Sequence, residues 1–388
     1  MNSLQSVTIR SIWRRRGVSV LLVAVVLAGV FSSMILHNLI QRQEEAMAEM
    51  VENTTISCVV TNPQGTDSGN LQMISAFVDM LVGLRHERGC YLDEYVKNVR
   101  AVATTALEYP KNYALRRIYS LDSDPHLSPV EGASVQFFEG WEESVLKSQD
   151  RVCLVGDNAP IVTTSDGTSH ITVELAHWEP VDLTVIGTVT GGPDRVIYVP
   201  FYIELAQGIS SAFSVDSCSF DIRDNACLEE SKAELYKTFV QPKLSLQPDG
   251  LQYGLLVLDE TYLHSLEEME SNLTMLQLLL PVLMVLTCGI GFFSGYLATR
   301  GRRKEFAVMR CLGMKPRKIF AIVFEEQAIL ALLGGVAGLT LGIVLEGGVT
   351  STALAKAGIL TAVFLIGAAI AVLHVTWVNT MELMKVED

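Results

Sequence analysis

RRKEFAVMRCLGMKPRKIF, residues 302–320, lies between two long apolar runs and carries eight charged side chains. Phe306, Met309 and Arg310 fall three and four apart, Gly313 supplies a stop, and Pro316 suits the first turn of a new helix. The stretch therefore predicts a helix, a tight turn and a second helix. Two uses fit that pattern: a surface on which a partner docks, or a basic loop resting at lipid headgroups.

The flanking runs decide the class. The chain has 388 residues, 49% of them hydrophobic, and the apolar excess is concentrated in 17–41, 271–299, 327–345 and 357–381, each without Asp, Glu, Lys or Arg for about twenty residues. The first run follows a basic segment, as a secretory signal does. Its length, and the lack of a small-x-small site before QRQEEAMAEM, favour an uncleaved anchor. The expected layout is a cytoplasmic amphipathic elbow (1–16), spans at 17–40, 271–299, 319–346 and 353–380, an outer domain (41–270), a cytoplasmic helical loop (300–318) and a tail (381–388). The predicted fold is thus four transmembrane α-helices with a large extracellular α+β domain inserted between spans 1 and 2.

Charge sets the orientation. Residues 1–16 hold four Arg and no acid, and residues 300–318 hold eight basic side chains against Glu305 alone. Both segments are expected in the cytoplasm. Residues 41–270 contain 15 Lys plus Arg and 36 Asp plus Glu, a net of −21, leaving +7 for the remainder of a chain whose total is −14. Such an acidic outer segment would repel nucleic acid, which is excluded as a partner; it fits a solvated surface or a cationic ligand.

Five cysteines (58, 90, 153, 218, 227) fall in the outer segment, where disulfides persist. Cys218 and Cys227 are the nearest pair and are expected to bridge, with Cys58–Cys90 a weaker choice. No metal site is expected, because no CxxC or clustered His accompanies them. The turn-like CLVGDN and DSDPH, and the scattered histidines, offer no catalytic constellation.

In the outer segment, QRQEEAMAEMVE extends the first span as a helical stalk, and ISAFVDMLVGL and LDEYVKNVRAVATTAL show apolar spacings of three and four that predict helices. HITVELAHWEPVDLTVIGTV, RVIYVPFYI and YGLLVLD predict strands, with GGPD as a turn; LEESKAELYKTF and TYLHSLEEMESNL predict helices, the last running into the second span. Within the membrane, Gly334, Gly338 and Gly342 recur every four residues, a ridge that lets helices approach closely, and Gly291 with Gly295 is a shorter version. Glu325 and Glu326 lie about two turns into the third span, where a charge is costly. One is expected to meet a basic side chain, in the charged loop for instance, and the other to reach the headgroups.

RRKEFAVMRCLGMKPRKIFAIVFEEQAILALLGGVAGLTLG resembles the signature region of FtsX-like and MacB-type permeases, the type VII group of ABC transporters. The matching positions are Arg302, Arg303, Glu305, Phe306, Ala307, Val308, Met309, Arg310, Cys311, Leu312 and Gly313, with Glu325 or Glu326 as the family's span glutamate. IRSIWRRRG resembles the family's N-terminal elbow, VNTMELMKVED its C-terminal tail, and several strands its MacB-type periplasmic core; residues 41–130 match less well.

This resemblance implies a non-catalytic, dimeric permease, paired with a second copy or a paralogue in a bacterial cytoplasmic membrane. The chain has no G-x-x-x-x-G-K-[ST] loop, so ATP and Mg are implied in a separate cytoplasmic ABC ATPase subunit, with no cofactor held by this chain. The implied contact with that ATPase is Glu305, Phe306, Met309, Arg310, Leu312, Gly313 and Met314, and Arg14, Arg15 and Arg16 would anchor the elbow at lipid. ATP-driven closure would reshape the outer domain to export or extract a peptide, antibiotic or lipid-like substrate. The alternative is an FtsX-like regulator that activates an extracellular protein such as a cell-wall hydrolase. A membrane-anchored enzyme is the weakest reading.

Overall fold

The computed structural model describes residues 16–85, 91–156, 158–163, 168–176, 179–205, 213–240, 253–346 and 351–377. Its helices are α1 (Arg16–Asn53), α2 (Ala76–Leu81), α3 (Leu228–Phe239), α4 (Glu260–Arg300), α5 (Arg303–Cys311), α6 (Pro316–Glu346) and α7 (Ser351–Trp377). Contacts divide the chain into two units, one of residues 1–49 and 265–388, the other of residues 50–264.

Among the described residues, α1, α4, α6 and α7 are long and apolar enough to cross a membrane. At 1.5 Å per residue, the 38 residues of α1 and the 41 of α4 extend about 57 and 62 Å, roughly twice the hydrocarbon thickness of a bilayer. The polar segments 42–53 and 260–270 are helical. Arg16 opens α1; Arg14, Arg15 and the segment 381–388 lie outside the described residues.

Glycines govern how the helical unit packs. A Cβ at Gly334 would stand 2.8 Å from the Val23 carbonyl oxygen, and one at Gly338 2.9 Å from that of Leu27; at Gly342 it would collide with the Met34 sulfur. The three-glycine ridge of α6 thus lies against the backbone of α1. A second seam joins α4 to α7, where a Cβ at Gly291 would meet the Phe364 carbonyl oxygen, one at Gly295 would be 2.8 Å from that of Ala368, and one at Gly367 would strike that of Cys288. In a bilayer no hydrophobic gain separates helix contact from lipid contact, so close backbone approach of this kind carries the association. Leu22, Val26 and Val30 of α1, Leu330 of α6, and Leu360 and Phe364 of α7 fill the interior.

The other unit is built on strands β1 (Ser57–Thr61), β2 (Met73–Ile74), β3 (Val96–Ala106), β4 (Ala114–Ile118), β5 (Ser134–Phe137), β6 (Val152–Gly156), β7 (Val162–Thr163), β8 (Ser169–Val173), β9 (Val181–Thr190), β10 (Val196–Pro200), β11 (Ser214–Val215), β12 (Ser217–Ile222) and β13 (Gly254–Val257). The main sheet runs β13-β1-β12-β3-β4-β10-β6-β9-β8-β7, with β5 also on β9; β10–β4 and β6–β9 are parallel, the other pairs antiparallel. Its middle is buried on both faces: Cys153 and Val155 enter one core with Leu183 and Ile197, while Val152 and Leu154 enter another with Ile186 and Tyr198. Strands covered on both sides read as continuous apolar runs, as VCLVG and VIYVP do. Phe77 of α2 and Phe220 of β12 stack on Phe239 of α3, at ring distances of 5.5 and 5.9 Å.

Two sequence expectations are overturned. LDEYVKNVRAVATTAL is not a helix: after a short turn it forms β3. Asn98, at φ 49°, makes a bulge in which Asn98 and Val99 oppose Phe220 alone. The extra residue brings Val96 and Val99 onto the same buried face at a spacing of three, which imitates a helical period. Nor do Cys218 and Cys227 bridge; both are free, as is Cys58. Cys218 points into the core at 1% exposure, and burial pushes its thiol up to about 12, while Cys227, at the end of a turn, is exposed. Cys90 lies outside the described residues. In DSDPH, Asp124 does turn chemistry: it caps the turn at Pro125–Leu127 by accepting from the His126 N–H at 3.1 Å, and it pairs with Arg116 at 2.5 Å.

Candidate functional site

The charged stretch folds as a helical hairpin at the end of α4. The Arg302 N–H donates to the Thr299 carbonyl at 3.0 Å, turning the chain into α5, and the Phe306 N–H donates to the Arg302 carbonyl at 3.0 Å. At the other end of α5, Gly313 adopts φ 87°, a left-handed conformation that favours glycine. The Met314 N–H then reaches back to the Met309 carbonyl at 3.1 Å, and the Gly313 N–H to that of Arg310 at 2.9 Å. This double closure spends carbonyls that a helix end would leave unpaired. Pro316, which has no N–H to lose, opens α6 three residues later.

Side chains fix the hairpin from within. Phe306 packs with Ile319, Val323 and Val372, and Met309 and Met314 lie against the same cluster. Beneath them the Arg302 guanidinium, on a residue 8% exposed, donates from Nη1 to Glu326 Oε2 at 2.7 Å and from Nε to Glu305 Oε2 at 3.1 Å. Glu326 itself is 7% exposed. A buried carboxylate needs a partner of opposite charge with matched hydrogen bonds, and Arg302 provides it. The arginine also lies 5.8 Å from the centre of the Phe306 ring. Glu325, one residue earlier and about 100° round the helix, is half-buried.

The outward face differs from the contact set implied by the resemblance. Glu305, Leu312 and Gly313 are exposed, Met309, Arg310 and Met314 are half-buried, and Phe306 is buried. Phe306 supports the hairpin from inside because α5 must cover the ends of α6 and α7, and its largest apolar side chain does so. Val308 and Leu312, one turn apart and 60% and 80% exposed, form an apolar ridge instead. Lys304, Cys311, Lys315, Arg317 and Lys318 are exposed around it. Val308 and Arg302 match the family signature but were left out of the implied contact set. The signal for Val308 was its place opposite Phe306 and Met309 once those two are turned inward; for Arg302 it was the need of a buried glutamate for a cation.

The hairpin can orient a cationic rim around an apolar ridge and hold it rigidly against the helical unit.

A family model, FtsX-like permease C-terminal, matches residues 278–383. No curated protein matches the chain in sequence. Among solved structures, the periplasmic region of MacB from Actinobacillus actinomycetemcomitans is similar at 14% identity, covering 56% of this chain and 95% of that one, with a TM-score of 0.32. The family match encloses the hairpin, the buried Arg302–Glu326 pair and the α4–α7 glycine seam, and it agrees with the resemblance read from the charged stretch: residues 278–383 match an FtsX-like permease C-terminal domain.

Proposed function

We propose that this chain is the membrane subunit of an ABC transporter in a bacterial cytoplasmic membrane, coupled to a separate ATPase that binds ATP and Mg. The observation that carries the reading is the hairpin: Val308 and Leu312 stand out at 60% and 80% exposure from a short helix pinned by a buried ion pair and a closed turn. Apolar side chains so displayed, ringed by cations, suit a protein partner with an apolar groove and an acidic rim. The excess of Lys and Arg in 300–318 supports a cytoplasmic hairpin, and in this reading 41–270 lies on the other side of the membrane.

In this reading the chain does no bond-making chemistry. A dimer with a second copy or a paralogue would receive the ATPase's closing motion at α5 and pass it along α1 and α4, whose lengths exceed what a bilayer requires. The outer segment then exports or extracts a peptide, antibiotic or lipid-like compound.

The test is capture of tagged protein in mild detergent from its native host, comparing wild type with Leu312→Asp. That substitution places a charge on an exposed ridge and should leave yield unchanged. A phosphate-loop ATPase present with wild type and lost from Leu312→Asp is the expected result. No such ATPase with wild type would sink the proposal, and a secreted protein retained by both forms without an ATPase would replace it with the regulator.

A further inference from the structure

The last turn of α1 and the first of α4 meet the sheet at one place. α1 passes through Thr54, Thr55 and Ile56 into β1, and β13 passes through Leu258 and Asp259 into α4. β1 and β13 are antiparallel neighbours with Cys58 opposite Val257, and the Leu258 N–H donates to the Ser57 carbonyl at 2.9 Å. Both helices therefore leave the same end of two adjacent strands.

A single short segment, 224–232, ties down both junctions. The Asn225 amide nitrogen donates to the carbonyls of Val51 at 2.9 Å and Thr54 at 2.6 Å, at the C-terminal end of α1. Two carbonyls accept there, so the group facing them is the NH2, and Asn225 is only 8% exposed. Seven residues on, Lys232 in α3 reaches Asp259 at the start of α4, Nζ to Oδ2 at 2.8 Å, and Glu229 at 3.2 Å. Asp259 is 9% exposed, and its carboxylate beside the Lys232 ammonium holds that group above the ordinary lysine pKa. The turn between them is fixed by Asp224, which accepts from the Ala226 N–H at 2.9 Å, and α3 is locked to the sheet through Phe239 on Phe220. Neither junction residue is needed to close a helix or strand of its own; each bridges to a helix distant in sequence.

We propose that Asn225 and Lys232 are positioning residues that convert displacement of α1 and α4 into displacement of α3 and the sheet. This rests on the mechanical reading above and deepens it, by naming where helix movement enters the outer unit. A flexible junction would let either helix shift without moving β12; two tethers on one rigid segment make α3 follow both.

The test uses the full chain with the ATPase it captures, in lipid nanodiscs, and reads amide hydrogen exchange of 96–106, 217–222 and 228–239 with MgATP plus vanadate and without nucleotide. ATP hydrolysis is measured in the same samples. Asn225→Asp keeps the size while presenting oxygen to the two carbonyls, and Lys232→Met keeps the stem without the charge. Wild type should show a nucleotide-dependent change in these segments, Asn225→Asp with Lys232→Met should lose it, and Lys232→Arg should retain it. A double variant that responds like wild type overturns the proposal. Wild type that hydrolyses ATP with no response in the sheet overturns the mechanical reading, and the proposal with it. Should the double variant not fold, Lys232→Met alone decides, because its side chain is partly exposed and its loss leaves no cavity.

Discussion

The helical unit and the sheet unit solve the problem of buried polar groups in opposite ways. In the helical unit, hydroxyls turn back on their own helix: Thr287 donates to Leu283 at 2.7 Å, Thr299 to Gly295 at 2.7 Å, and Thr376 to Val372 at 2.8 Å. Arg302 with Glu326 is the buried ion pair that joins separate helices there. In the sheet unit, buried polar groups cross between strands. Asp221, 2% exposed, accepts from Ser57 at 2.8 Å, from Asn98 at 3.1 Å and from Arg100. Helices satisfy their backbones internally and can associate by shape alone, whereas this sheet places its charges where they fix register. Among the described residues, the helical unit should then be sensitive to volume along its glycine seams and to charge where Arg302 meets Glu326.

The largest effect tests that ion pair. Arg302→Ala removes the guanidinium 2.7 Å from the buried Glu326 carboxylate and should cost about 3–5 kcal/mol, read as a fall in thermal stability of the purified protein in detergent. Replacing both partners, Arg302→Met with Glu326→Leu, should recover most of that loss; if the double variant is as unstable as the single, charge is spread more widely through the helical unit than the comparison holds. Next comes volume. Gly338→Leu would force side-chain atoms into the α1 backbone near Leu27 and Val30, at a cost of about 1–3 kcal/mol, measured by the same melt and by yield. Unchanged behaviour would mean that the α1–α6 seam does not hold the unit. The smallest effect belongs to the sheet unit. Because Asp259 raises the Lys232 pKa, the stabilisation from this pair is complete below the unfolded lysine value of about 10.4 and fades as pH rises through the higher folded value. Alkaline melts should therefore show wild type losing its advantage over Lys232→Met only above about pH 10; an advantage lost already near neutrality would point to another group.

The same contrast explains what was legible in the sequence. Spans, the helix-turn-helix at 302–320 and the glycine ridge are local signals, set by composition, by Gly313 and by a period of four. Helix α3 was likewise readable to the residue, and so were the strands at 169–173 and 181–190, whose apolar residues alternate or run together. The bulge at Asn98 was not, because one inserted residue turned the strand alternation of Val96 and Val99 into a helical spacing. The disulfide between Cys218 and Cys227 failed for a similar reason: nearness in sequence said nothing of Cys218 facing the core from β12. At the site, one of Glu325 and Glu326 could be assigned a cation but not which, and Phe306 could not be assigned a direction, since that depends on α6 and α7 lying beneath it. Asn225 left no trace at all; its partners are carbonyls about 170 residues away.

The left-handed turn at Gly313 also bears on what binding to the hairpin would cost. Ordering a flexible segment takes about 1–2 kcal/mol per residue from the affinity of whatever docks on it. Here the Met314 and Gly313 N–H groups are already closed onto Met309 and Arg310, and the side chains of Met309 and Met314 are already seated. A partner docking on Val308 and Leu312 would meet a turn already ordered, so that little contact energy would go into ordering the loop and more would be left for affinity.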